Sequence, residues 1–298
     1  MSGRWKAFLI SCTCVLVIGL ALIGIGLALG GGGFINNASN GGLTFDRIKD
    51  DFFRHSSFQF NIGRNNDENV NLDNIALGAS FDTFDNIQSL KVDTGYIQVV
   101  IREWDGNEVI VDTSNLSDRA KGRLSVNEID NALKITQKQY RQRRIWGFRS
   151  SNISNEILII QIPENYEFDN ISLITGAGQI DAETIVAKNA YLEIGAGKIG
   201  IDKLISEEAH IRVGAGRFNV LGALVERVYI NCGVGEVYFQ IIGSEDEFDY
   251  SIEVGIGEVV FGTKTHAGLG NRVTSNQGLD KFIDVNVGIG SVTIDFRR

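Results

Sequence analysis

The chain has 298 residues, of which 43% are hydrophobic, enough to build a substantial core in one large domain or two ordinary ones. A net charge of −9 and an isoelectric point near 5.0 exclude nucleic acid as the main partner, because phosphate binding needs a basic surface. Glycine is abundant at 35 residues and proline occurs 1 time, which predicts many tight corners rather than a disordered chain.

The first predicted element is a membrane anchor. Residues 7–29 carry no charge, and this run of 23 is long enough to cross a bilayer as a helix. Arg4 and Lys6 precede it, and the next charged residue is Asp46. The positive flank keeps residues 1–6 in the cytoplasm and sends the rest across the membrane. A cleaved signal peptide is the alternative, since Ala28-Leu29-Gly30 imitates a cleavage site, but its apolar region is normally shorter. The sequence "LISC" at 9–12 resembles a lipoprotein box, yet most of the apolar run lies behind it. Residues 30–80 read as a spacer and juxtamembrane segment. They open with four glycines and an Asn/Ser/Gly-rich stretch, and Phe45, Ile48, Phe52 and Phe53 are spaced for a short amphipathic helix.

From residue 81 the periodicity changes to that of strands. "SLKVDTGYIQVVI" (89–101) alternates, and "NEVIVDTS" (107–114) follows a turn. "ALKITQKQ" (132–139) and "EILIIQIP" (156–163) are predicted as a hairpin with a long tip. Residues 81–165 are therefore expected to be an irregular antiparallel start to the domain.

Residues 166–298 repeat. "LITGAGQIDA", "LEIGAGKIGI", "IRVGAGRFNV", "INCGVGEVYF", "IEVGIGEVVF" and "VNVGIGSVTI" share a G-x-G centre. The glycine pairs are Gly176/Gly178, Gly195/Gly197, Gly214/Gly216, Gly233/Gly235, Gly255/Gly257 and Gly288/Gly290, with first glycines spaced by 19, 19, 19, 22 and 33 residues. A degenerate copy, "LKVDTGYIQV", starts at Leu90. Apolar residues keep the same period, among them Ala190, Ala209 and Val228, and Val186, Ile205 and Leu224. Repeats of this length made of strands predict a β-solenoid whose equivalent positions stack in inward columns about 4.8 Å apart, one copy above the next. Seven such rungs would span on the order of 30 Å. The longer spacings place loops at 243–249 and 265–280. The apolar positions one before and four after the first glycine are an odd number apart, so the chain must bend at G-x-G for both to face inward. All twelve glycines are expected to be turn residues, chosen for dihedral freedom and for close stacking.

"GAGKIG" at 195–200 also fits the dinucleotide fingerprint G-x-G-x-x-G. That motif needs a helix after it, whereas another strand follows here and the sister copies lack the third glycine. No cofactor is expected. No calcium turn motif occurs, and His55, His210 and His266 are too scattered for a zinc site. Cys12 and Cys14 fall in the apolar run, so Cys232 has no disulfide partner in the domain and reads as a small buried hydrophobe. Glu236 and Glu258 share a repeat position that elsewhere holds Gln179, Lys198, Arg217 and Ser291, a mixed ladder rather than an acid/base pair.

The charge pattern reverses at "KQYRQRRIWGFR" (138–149). Lys138, Arg141, Arg143, Arg144, Trp146 and Arg149 form a candidate contact patch for anionic lipid, a cell-wall polymer or a membrane protein. A solvated tip whose aromatics pack on the solenoid is the alternative.

With "FDNIQSLKVDTGYIQVVI" (84–101), "LKITQKQ" (133–139), "IIQIPENYEFDNISLITGAGQIDA" (159–182) and the later G-x-G rungs, residues 80–298 resemble a family of bacterial surface proteins. Its members carry an adhesin-type domain of unknown function, the 4097 series. The resemblance implies an all-β fold, a single-stranded β-helix often set on a membrane anchor, and no established activity. The leading expectation is a non-enzymatic, extracytoplasmic interaction module. The resemblance also implies a second reading, an accessory of an envelope-stress or membrane-associated signalling system. A carbohydrate-active β-helix enzyme is the third.

Overall fold

In the computed structural model residues 80–138 and 156–297 are described, and all lie within one compact unit, Asn74–Arg298. The expected anchor at 7–29 and the segment around Phe45 fall outside these residues. Among the described residues no helix is long and apolar enough to cross a membrane.

The chain is all-β. Its strands are β1 (Phe81–Phe84), β2 (Ser89–Thr94), β3 (Gln98–Trp104), β4 (Val109–Asp112), β5 (Leu124–Ile129), β6 (Ala132–Gln137), β7 (Ile157–Pro163) and β8 (Glu167–Thr175). They continue as β9 (Gln179–Ile194), β10 (Lys198–Val213), β11 (Arg217–Cys232), β12 (Glu236–Ile242), β13 (Phe248–Phe261), β14 (Lys264–Ser275), β15 (Lys281–Val287) and β16 (Ser291–Arg297). One helical turn, α1 (Asp118–Lys121), is capped by Ser117 Oγ, which accepts the backbone N–H of Ala120.

The 19-residue period is a 16-residue strand plus a three-residue G-x-G corner, as in β9, Gly195-Ala196-Gly197 and β10. Neighbouring rungs pair in parallel with equivalent residues matched, Ile180 with Ile199 and Ile199 with Phe218. Along β9 the buried residues are Ile180 and Ala182, then Ile185 and Ala187, then Ala190, Leu192 and Ile194. The alternation slips twice, so each long strand runs along three sides of a coil. We term these the exit side (after the corner), the return side, and the approach side (before the next corner). Inside, Leu173, Leu192, Ile211, Ile230, Val285 and Ile252 form one of the continuous columns. Each fully buried aliphatic side chain of such a column contributes roughly 1.5–3 kcal/mol.

The corners bend as the spacing requires, with Ile194 and Ile199 both buried. The expected role of the glycines is corrected in two respects. First, dihedral freedom is not the reason for them. None of the twelve has positive φ; the glycines that do are Gly243, Gly262, Gly270 and Gly278. Contact between rungs excludes a side chain instead, and the second glycine of each pair is the tighter. A Cβ on Gly195 would stand 2.5 Å from the Gly176 carbonyl oxygen, and one on Gly197 would stand 2.1 Å from that of Gly178. A Cβ on Gly216, Gly235 or Gly257 would stand 2.4 Å from the carbonyl oxygen of Gly197, Gly216 or Gly290 respectively, and one on Gly290 would stand 2.5 Å from that of Gly235. Gly216, Gly235, Gly257 and Gly290 also face side chains of the inward columns, those of Ile194, Val213, Val287 and Cys232. At their partners Gly214, Gly233, Gly255 and Gly288 the closest approach is 2.6 to 2.8 Å, again to a carbonyl oxygen. Second, Gly255 and Gly257 are not in a turn, because they lie within the unbroken strand β13, where Gly257 pairs with Gly268 of β14. The extra strand β14 along that edge extends the ladder through the bend.

Four further expectations are corrected. First, β6 and β7 do not form a hairpin: β6 stacks in parallel on β2, and β7 on β3. Together they make a further rung. Second, the start of the domain is largely parallel. Antiparallel pairing there is confined to β1 on β4, β4 on β7 and β5 on β6. Third, the loop expected at 265–280 is confined to 276–280, because Lys264–Ser275 forms β14, antiparallel to β13. Fourth, the rungs do not stack in chain order. β2/β3 lies between β6/β7 and β8/β9, and β15/β16 inserts between β11/β12 and β13. Antiparallel strands thus cover the parallel stack at both ends.

Candidate functional site

The three outward faces differ in chemistry. On the exit side, the ladder Gln98, Gln179, Lys198, Arg217, Glu236, Ser291, Glu258 is polar throughout. Asp181 accepts from Gln98 Nε2 at 3.1 Å and from Gln179 Nε2 at 2.6 Å, and Lys198 lies 3.9 Å away. Arg217 donates Nε at 3.0 Å and Nη2 at 2.5 Å to one oxygen of Glu236. Ser291 stands between Glu236 and Glu258, so these carboxylates do not converge as a hydrolytic pair must.

The approach side carries rings and charges that satisfy one another. His210 stacks on Tyr229 with centroids 4.7 Å apart, and Arg212 lies 5.6 Å from the centroid of Tyr191. Glu208 bridges His210 Nε2 at 2.6 Å and Arg227 Nε at 3.2 Å. The hydrogen bond from His210, then that from Arg227, holds the Glu208 carboxyl below the usual carboxylate range. The Tyr191 hydroxyl donates to Glu193, which pushes its own pKa up.

The return side is different. Ile185, Leu204 and Ala223 point inward on one flank, and Ala187, Ser206 and Val225 are buried on the other. The residues between them, Val186, Ile205 and Leu224, therefore face outward. Their sequence period had placed them in the core; alternation between two inward neighbours reverses that. Leu224 is 41% exposed, and Ile242, at the end of β12, is 42% exposed. Together they line a shallow groove of about 410 Å³ that crosses β9, β10 and β11. Its rim carries Glu167, Glu207, Glu226, Lys188 and Lys281. Val186, Ile205 and Leu224 thus form an outward apolar strip across three rungs, with charged residues at its margins. Val234, Ile289 and Ile256 form a second exposed apolar strip along the corners.

The glycines singled out in the sequence line the bends between approach and exit sides and take no part in the groove. Gly178, Gly197, Gly235, Gly257 and Gly290 are buried and Gly216 is half-buried, so their role is packing between rungs. Of the predicted patch, Lys138 is exposed, and its backbone N–H donates to the Arg123 carbonyl at 3.0 Å. Arg141, Arg143, Arg144, Trp146 and Arg149 fall outside the described residues. Cys232 is 1% exposed, and burial pushes its thiol up to about 11. Among the described residues no cluster of three or more His, Cys, Asp or Glu could hold a metal. The groove was missed because its apolar column shares the period of the core. The available signal was the triplets Ile185-Val186-Ala187 and Ala223-Leu224-Val225, whose outer members alternate inward.

A stacked parallel coil with short glycine corners and antiparallel ends defines a β-solenoid protein. The chain belongs to the Toastrack DUF4097 family, whose model matches residues 87–294. Similar solved structures include a "putative cell adhesion protein" from Clostridium sporogenes, 16% identical, with 73% of this chain and 98% of that chain covered at a TM-score of 0.42. A "putative adhesin" from Bacteroides fragilis is 11% identical, with 74% and 99% covered at a TM-score of 0.38. A "putative lipid binding protein" from Parabacteroides distasonis is 11% identical, with 74% and 96% covered at a TM-score of 0.33. No curated protein matches the chain.

Proposed function

We propose that the protein is a non-enzymatic surface interaction module of the adhesin type. Residues 7–29 anchor it in the membrane with the N-terminus inside, and the solenoid stands on the extracytoplasmic side. The observation that carries this reading is the return-side groove. Val186, Ile205 and Leu224 face outward side by side across three rungs, and docking a partner relieves the exposure of Leu224. The exit and approach sides support it from the other direction, since Asp181, Arg217, Glu236, Glu208 and Arg227 there are engaged with neighbouring side chains.

The test uses cells that display the full chain. Ile205→Asp combined with Leu224→Asp places charge in the groove without touching an inward column. Retention of such cells on a biological surface should fall about tenfold, equivalent to about 1.4 kcal/mol. Protease should release the solenoid from intact cells. Unchanged retention by a double variant that is present and folded would sink the reading.

A further inference from the structure

We propose that two copies of this chain join end to end through β14, each pairing antiparallel with the other's β14 about a two-fold axis between Leu269 and Gly270. β14 is the last strand of the sheet, and among the described residues it pairs with β13 alone. A free edge is a row of unpaired N–H and C=O groups, which folded proteins keep short or cover. At the opposite end the outermost strands β1 and β5 have 4 and 6 residues, whereas β14 has 12 and no proline. Lys264, the charge at its start, is drawn back to Glu245 of its own chain at 2.6 Å. No residue of β14 lines the return-side groove, so this contact is separate from it.

The shape of the edge selects the partner. β14 bends with the corner: residues 264–267 lie along Glu258 to Phe261 on the exit side, and residues 271–275 along Tyr250 to Val254 on the approach side. At the bend Gly270 takes a φ of +66°, which favours glycine. The bend also shifts the alternation by one residue. Before it, Lys264 and His266 oppose the buried Phe261 and Val259. After it, Asn271 and Val273 oppose the buried Val254 and Ile252. A straight strand of one phase therefore matches only one half of this edge. A strand that matches both halves carries the same bend and the same shift at its midpoint, and a second β14 does.

Placing bend on bend fixes the register. Lys264 then faces Ser275 of the second copy, Thr265 faces Thr274, His266 faces Val273 and Ala267 faces Arg272. Inward residues meet inward residues, and no charge stands directly opposite a like charge. Alternate pairs of an antiparallel ladder exchange two hydrogen bonds each, so the two strands form about ten, as many as a typical interface. The same axis joins two apolar ridges. Val234, Ile289 and Ile256 follow one another up the corners toward β14 and are 40%, 54% and 57% exposed. In the pair the ridges of both copies run end to end across the axis as one strip. The contact is isologous and closes at two copies.

The experiment follows the full chain in detergent by sedimentation, together with cysteine cross-linking. The wild type is expected to form a dimer whose fraction rises with concentration. Ala267→Cys combined with Arg272→Cys should give a disulfide-linked dimer under mild oxidation, because each cysteine faces the other position of the second copy. Within one chain the two stand five residues apart on a strand, beyond the span of a disulfide. Ala267→Cys combined with Thr265→Cys should not cross-link, since neither position faces a cysteine. Ala267→Lys sets a lysine against Arg272 of the second copy and should weaken the dimer about tenfold. Adding Arg272→Gln should restore it, which excludes misfolding as the cause of the loss. A wild-type chain that stays monomeric overturns the proposal. So does equal cross-linking of the two double-cysteine variants, or an Ala267→Lys chain that associates as the wild type does.

Discussion

Gln137 Oε1 accepts the backbone N–H of Gly95 at 2.8 Å, and the same oxygen takes the N–H of Tyr96 at 3.2 Å. In later corners these amides bond to carbonyls of the rung beneath, as Gly176 does to Thr94 and Ala177 to Gly95. At Gly95 and Tyr96 the acceptor on the β6 side is a side chain instead, that of Gln137. Gln137 is buried, and a replacement without an acceptor leaves amides unpaired. Gln137→Leu should lower stability by about 1–3 kcal/mol, read from the urea midpoint at neutral pH.

The glycines separate by contact rather than by motif. Gly197→Ala drives a Cβ to 2.1 Å from the Gly178 carbonyl oxygen, whereas the nearest atom to a Cβ on Gly200 is Asp181 Oδ1 at 3.5 Å. Gly197→Ala should cost about 1–3 kcal/mol or more, as overpacking of a rigid backbone contact does. Gly200→Ala should change stability by less than about 0.5 kcal/mol. Thermal unfolding of the two variants side by side checks the contrast.

Asp249 predicts an acid dependence. Its buried carboxylate accepts the backbone N–H groups of Gln277 at 2.6 Å and of Gly278 and Leu279 at 2.9 Å. The bond from Gln277 leads in depressing its pKa, and those from Leu279 and Gly278 add to it, against the opposing effect of burial. A depressed folded-state value means the stabilisation is present above the unfolded carboxylate value, about 3.9, and is lost as pH falls through the folded one. Asp249→Asn should destabilise the protein at pH 7, and the gap to the native chain should close in strong acid. Urea midpoints across that range measure it.

Cys232 should be inert. Burial raises its thiol to about 11, so little thiolate exists at pH 8. Peptide-level mass spectrometry after maleimide treatment should find Cys232 unlabelled in the folded chain and labelled in urea. Labelling at equal rates in both would place the side chain outside the core.

The solenoid was readable because its neighbours in space are its neighbours one period away. Ile180, Ile199 and Phe218 recur at 19 residues and stack in the same order. The same logic misplaced Val186, Ile205 and Leu224, because a period reports stacking and not the side of the sheet. The slips of alternation inside β9 reverse them, and those slips depend on bends that carry no glycine or proline in this stretch. The glycine motif likewise located Gly216, Gly235, Gly257 and Gly290 but not their purpose, since the atoms that exclude a side chain there belong to another rung.

The sequence by itself determined the all-β class, the rung, and the corners at which only glycine fits. It did so because each of these is set by contacts between equivalent residues of adjacent copies. The tertiary structure alone decided the order of the rungs. β2 pairs with both β6 and β8, and β15 slips between β11 and β13, because a backbone ladder accepts any strand of matching phase. Which strand it takes depends on how the ends close, with β4 and β5 at one end and β14 at the other. The groove is settled at the same level. It needs three rungs side by side before an outward Leu224 becomes a surface on which a partner can lie.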